Sequence, residues 1–195
     1  MTDPRANGED LTAKARIRNA ALDLYAEYGE ERVSMRTVAA RAGVAVGLVQ
    51  HHFKTKEGLR AAVEQLVVDY YVLAITSVPQ AGTPAQVAAA KDAAVQRMLA
   101  DHPPVVNYIR RTVLDPRGGG TLLERLTELS RGEVSKVRAA GKTSSQRSES
   151  SQTIKLMVRQ LGQLLIQPMI DEIWDHLGKS DPEAGDKPTL SVTIT

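Results

Sequence analysis

The chain has 195 residues, 42% of them hydrophobic and 25% charged, with a formal net charge of +2. That length buries a real core as one domain or two small ones. No apolar run reaches the roughly 18 residues of a membrane span, and the polar, acidic start MTDPRANGED lacks an apolar signal region, so a cytoplasmic location is expected. The absence of cysteine excludes a disulfide framework, a thiolate metal site and a thiol nucleophile.

Residues 1–10 are expected to be disordered. Ile17, Ala20, Ala21, Leu24 and Tyr28 then recur with the period of an amphipathic helix that stops at Tyr28-Gly29. Ser34 is placed to cap a second helix, on which Val38, Ala39 and Ala42 form a stripe of apolar and small side chains. Gly43 supplies the left-handed backbone of a tight inter-helix turn, and the small Ala39 lets the next helix approach closely. Val44 and Val49 point into the angle between these helices, whereas Val46, Gly47 and Gln50 fall outward. The spacing predicts a helix-turn-helix, a unit that lays its second helix in the major groove of DNA. Charge agrees. Between residues 32 and 60 the cations Arg32, Arg36, Arg41, Lys54, Lys56 and Arg60 face the single anion Glu57, while residues 61–195 balance at 15 basic and 15 acidic. Such a local excess is the footprint of a phosphate-binding surface.

The continuation of this motif, HHFKTKEGL, resembles the tetracycline-repressor (TetR) family of bacterial transcription regulators. Members close the recognition helix with an aromatic, here Phe53, and open the next helix with a Ser/Thr-Lys-Glu-x-Leu segment, here Thr55-Lys56-Glu57-Gly58-Leu59. The Tyr28-Gly29 junction also fits, and the resemblance covers roughly residues 11 to 60. The chain departs from the family pattern at Ala45, where Ser is common, at Val46, where Lys or a polar residue is common, and at Gln50, where Tyr is common.

Beyond residue 60 the pattern stays helical. Leu59, Ala62, Val63, Leu66, Val67, Tyr70 and Leu73 belong to a helix capped by Thr55, and Pro79 to Pro84 form a loop. Thr83-Pro84 opens a further helix, broken at His102-Pro103-Pro104, and Pro104 begins a short one ending at Asp115-Pro116. Gly118-Gly119-Gly120 is a hinge-like loop, followed by a helix from about Thr121 to Ala139. The Ser-rich segment 141–151 has no apolar face and is assigned to a linker. A long final helix is expected from about Ser151 to Leu177, ended or kinked near Gln167 by Pro168.

Several residues invite chemistry that their neighbours do not support. Adjacent helical residues such as His51 and His52 point about 100° apart and do not share one ion easily. The glycine triplet lacks the Lys-Ser/Thr of a phosphate loop, and no Ser sits on a nucleophile elbow. Arg110-Arg111 is either an anion contact or, more often for such a doublet, a solvent-facing pair; Tyr70, Tyr71 and Tyr108 either line a pocket or pack as core. No metal, cofactor or catalytic residue is assigned, and the chain is not expected to be an enzyme.

The expected fold is all-α: a helix-turn-helix domain at 1–58, a helical ligand-sensing and dimerising domain at 59–178, and a disordered tail at 179–195. The resemblance implies a homodimeric repressor released from a palindromic DNA operator by a small-molecule effector. It places the helix from Ala45 to His52 in the major groove, with Val46, Gly47, Leu48, Gln50 and His51 nearest the bases. Ser34, Met35 and Arg36 at the start of the preceding helix, together with His52 and Lys56, hold the DNA. Gln50 either bridges an adenine edge or bonds a phosphate. The effector is expected to be mostly hydrophobic, held among Leu66, Tyr70, Met98, Tyr108, Met157 and Leu161. A helical enzyme and a partner-binding helical protein are the competing readings.

Overall fold

The computed structural model describes residues 5, 12–115, 120–141, 147–178 and 185–192. Among them are eight α-helices, one 3-10 turn and no strand. The chain separates into two compact units, Met1–Leu126 and Thr127–Thr195.

The first unit is organised around α1 (Ala13–Tyr28), which touches α2 (Met35–Ala42), α3 (Val46–Phe53), α4 (Lys56–Thr76) and α6 (Pro103–Val113). Its central position follows from its composition, since Ile17, Ala20, Ala21, Leu24 and Tyr25 are buried and the alanines admit close neighbours. Thr12 caps it by accepting from the Ala15 amide at 3.3 Å. Arg5, alone among residues 1–10 in being described, pairs with Asp23 on this helix at 2.6 Å. The α4 helix buries Leu59, Val63, Leu66, Val67, Tyr70 and Ala74 and packs on α1 and α5 (Pro84–Asp101). Thr83 and Gln86 form a reciprocal capping box at the start of α5. The break at His102 is as read from the prolines, with α6 starting one residue earlier than expected, at Pro103.

Helix α7 (Gly120–Ala139) begins at the last residue of the glycine triplet; Gly118 and Gly119 lie outside the described residues. In the second unit, α8 (Glu149–Leu177) starts two residues before the expected position, because Ser148 caps it by accepting from the Ser151 amide. Residues 142–146 of the Ser-rich segment lie outside the described residues. Of the end or kink expected at Pro168, the end does not occur: α8 runs through Pro168 to Leu177, its expected last residue, and closes with the Gly178 amide donating to the Trp174 carbonyl at 2.7 Å. One proline removes one backbone donor, here the one that would reach the Leu164 carbonyl, and on the following turn the Gln167 side chain donates to Asp171 at 3.0 Å. Ser130, Thr153, Met157 and Leu164 form the buried part of this unit, and the Ser130 hydroxyl donates to the Met157 sulfur at 3.0 Å. Residues 185–192 are irregular and lie against α8. Leu190 donates to Gln167 Oε1 at 2.6 Å, and Lys187 pairs with Asp171 at 3.1 Å. Residues 179–184 and 193–195 lie outside the described residues.

Candidate nucleic-acid interface and adjoining cleft

Helices α2 and α3 are each eight residues long, too short to hold in isolation. Their termini and one buried seam set their geometry. Ser34 Oγ accepts from the Thr37 amide at 3.1 Å. At the other end Gly43 takes φ 66 and ψ 40, and its amide donates to Ala39 and Ala40 carbonyls. Val38, Ala39, Val49 and Phe53 are buried and join the two helices to α1. Val44 is half-buried.

On the other side of α3 the surface is open. Val46, Gly47, Gln50 and His51 are exposed, and Leu48 and His52 are half-buried. At the start of α2, Ser34 and Arg36 are exposed and Met35 is half-buried. The ten residues expected to meet DNA therefore fall on the N-terminal end of α2, the outward side of α3 and the first turn of α4. The His51 and His52 rings meet edge to face at 5.3 Å, and no cluster of three potential metal ligands occurs among the described residues.

The joint from α3 to α4 is tighter than the sequence suggested. Lys54 has φ 62 and ψ −59, and the Thr55 amide donates across it to the Phe53 carbonyl at 2.7 Å. This is a γ-turn of the rare positive-φ kind, a strained conformation for a residue with a Cβ. A Cβ on Gly58 would lie 2.2 Å from the same Phe53 carbonyl oxygen, so only glycine fits there. Thr55 then caps α4 by accepting from the Gly58 amide at 3.0 Å. The joint sets Lys56, half-buried, at the first position of α4.

The cations divide into two groups. Arg36, Lys54 and Lys56 make no ion pair among the described residues. Arg41 lies 3.9 Å from Glu27. Arg60 turns away, 3.8 Å from both Glu30 and Glu64, and lines a cleft of about 830 Å³ with Tyr25, Glu30, Glu64, Tyr108 and Arg110. Glu64 is 1% exposed, and its other oxygen accepts from the Thr121 hydroxyl and faces Arg125 at 3.5 Å. Burial pushes the Glu30 carboxyl above its ordinary value, offset in part by Arg60. The Tyr25 and Tyr108 phenols are likewise pushed up by burial, and their rings stack at 6.3 Å.

Residues of the expected effector pocket fall in both units. Leu66, Tyr70, Met98 and Tyr108 are buried in the first, with the Tyr70 ring 4.4 Å from His102. Met157, buried, and Leu161, half-buried, are on α8 of the second. Of the six, the cleft shares only Tyr108. Arg111 is neither an anion contact nor an idle solvent residue. Its guanidinium donates to the carbonyls of Ala26 and Glu27 at 2.8 Å each. Glu30, Glu64 and Tyr25 were not singled out from the sequence as functional; a carboxylate at position 64, inside the apolar face of α4, was the available signal.

Residues 17–63 match the family described as bacterial regulatory proteins, tetR family. Over 60 residues the chain is 48% identical to the HTH-type transcriptional regulatory protein RaaS of Mycobacterium tuberculosis, an alignment covering 31% of this chain and 28% of that protein. It is 34% identical over 116 residues to an HTH-type transcriptional repressor of the same organism, covering 60% of this chain and 54% of the relative. The chain thus spans between about a quarter and about half the length of these relatives. A tetR-family transcription regulator from Shewanella sp. PV-4 superposes with a TM-score of 0.65 at 20% identity, covering 86% of this chain and 91% of that one. The regulator FadR of Bacillus subtilis, solved with stearoyl-CoA, superposes with a TM-score of 0.60 at 14% identity, covering 85% and 89%. At these identities the likeness speaks for the fold.

Proposed function

We propose that the chain, whose residues 17–63 match the tetR family of bacterial regulatory proteins, is a sequence-specific DNA-binding repressor, released from a palindromic operator by a small-molecule effector. The observation that carries this reading is the outward side of α3. Exposed Val46, Gly47, Gln50 and His51 stand beside the ion-pair-free cations Arg36, Lys54 and Lys56. Apolar and amide side chains there suit base edges, and the flanking cations suit phosphates. Ser34, Met35, Leu48 and His52 complete the contact surface. Residues 1–58 form the reading head in this division of labour, and 59–178 the sensing and pairing part.

A single recognition helix reads few base pairs, so specificity calls for a two-fold pair. The α8 helix supports pairing: Ile154, Val158, Ile166, Met169, Ile173 and Leu177 are exposed at helical spacing. A stripe of that length facing water is costly in a monomer and natural at a helix-bundle interface. Half-buried Trp174 lies on the same helix and is an anchor for such an interface.

For the effector, the apolar side chains Leu66, Tyr70, Met98 and Tyr108 of the first unit, and separately Met157 and Leu161 of the second, favour a lipophilic molecule. Leu66 and Tyr70 share α4 with Lys56, so a ligand that displaces them shifts the phosphate anchor at the other end of the helix. Such a ligand acts only through its preference for the displaced state. The test is selection from a random duplex pool. A palindromic consensus retained in a salt-sensitive way supports the reading, and retention without sequence preference sinks it.

A further inference from the structure

We infer that the cleft between α1, α4 and α6 binds a small zwitterion with an ammonium and a carboxylate close together, an α-amino acid in chemical class. This inference is independent of the DNA reading above. The cleft wall carries polar side-chain atoms that make no hydrogen bond among the described residues. Tyr25 is 1% exposed, yet its hydroxyl makes no hydrogen bond among the described residues; it sits in the field of Glu30 and Arg60, both on the cleft wall. The Glu30 carboxylate makes no hydrogen bond among the described residues either. Its one ion-pair partner there is Arg60 at 3.8 Å, beyond hydrogen-bonding range. Glu64 Oε1 faces the same guanidinium at 3.8 Å, while Oε2 is taken by Thr121. The Arg60 guanidinium in turn makes no hydrogen bond among the described residues.

Acceptors on Glu30, Glu64 and Tyr25 and donors on Arg60 line one cleft of about 830 Å³, within the size range of small-molecule sites. An ammonium supplies three donors to the acceptors, and a neighbouring carboxylate takes the Arg60 fork. The balance of charge selects the zwitterion over a simple amine or a simple acid. Among the described residues four carboxylates and four guanidiniums line the cleft, so a net ion would leave one of these charges uncompensated in a half-buried site. Tyr28 and Leu114 also line the cleft and offer apolar surface to the rest of the ligand.

The test is calorimetric titration of the full chain, without DNA, against the twenty common L-amino acids and the N-acetyl and amide forms of any that bind. At least one is expected to bind with a Kd below about 1 mM. Acetylation and amidation should each weaken it about tenfold or more, since each removes one charge. Tyr25→Phe keeps the ring and its stacking, and Glu30→Gln keeps the shape; each should weaken binding about threefold to tenfold with an unchanged melting temperature. The inference is overturned if no amino acid binds, if the blocked forms bind as well as the free ones, or if both variants bind as the parent does. Because no DNA is present, failure of the repressor reading leaves every one of these outcomes interpretable.

Discussion

The guanidinium of Arg111 on α6 donates to the carbonyl of Ala26 on α1 at 2.8 Å, across 85 residues of sequence. A second bond reaches the carbonyl of Glu27. The last turn of α1 has no basic residue of its own, so its free carbonyls and negative dipole end are satisfied by a cation from another helix. We expect Arg111→Ala to lower stability by about 1–3 kcal/mol, the range for charge-assisted bonds to carbonyls. Arg111→Lys should fall between, since an ammonium cannot span both oxygens in a planar fork. Equal denaturation midpoints for all three proteins would show that the clamp adds nothing.

The γ-turn at Lys54 makes a second expectation. Gly58→Ala would place a methyl 2.2 Å from the Phe53 carbonyl oxygen, a clash with backbone that no rotamer relieves. A loss of about 2–3 kcal/mol or more is expected. Lys54→Gly should go the other way or be neutral, because it removes the positive-φ strain of about 1–3 kcal/mol at a smaller entropic cost. Thermal unfolding of the two variants checks the pair, and a tolerated Gly58→Ala would contradict this geometry.

Lys56, half-buried at the start of α4 and free of ion pairs among the described residues, is expected to touch a phosphate. Lys56→Ala should weaken every duplex about equally and lower the slope of log affinity against log salt by roughly one. An altered base preference with an unchanged slope would place Lys56 at a base edge instead.

Gln50 is fully presented on α3, and its amide can bridge the N6 and N7 atoms of adenine. If it reads a base, Gln50→Ala should cost about 1–3 kcal/mol on the preferred operator and relax the choice at one position. If it bonds a phosphate, affinity falls with the preference intact. Binding curves on single-substituted operators separate the two.

The exposed row on α8 predicts a dimer. Met169→Glu, at a residue 56% exposed, should leave the fold intact while placing like charges across a two-fold interface. Light scattering at micromolar concentration should then read monomer for the variant and dimer for the parent. A parent that is monomeric and still holds its operator tightly would remove the pairing argument.

Local rules made the helix ends legible from residues alone. Ser34, Gly43, Thr55 and Thr83-Pro84 act where a cap or a left-handed turn is needed, and such signals depend on nearest neighbours along the chain. The outward set on α3 followed from helical period in the same way. At Pro168 local rules left an end or a kink open, and α8 continues through it to Leu177, with residues 187–190 laid alongside.

What tertiary structure decided lies in side chains whose partners are far away in sequence. Arg60 was read as one more cation of a basic motif; the fold turns it toward Glu30 and Glu64 instead. Arg111 looked like half of a surface doublet until the end of α1 was brought beside it. Glu64 carries its charge inside an apolar face because Thr121 and Arg125 arrive from α7. Periodicity specifies which face of a helix is buried, but not which atoms from other helices meet it. That pairing is a property of the packed chain, and with it came the cleft.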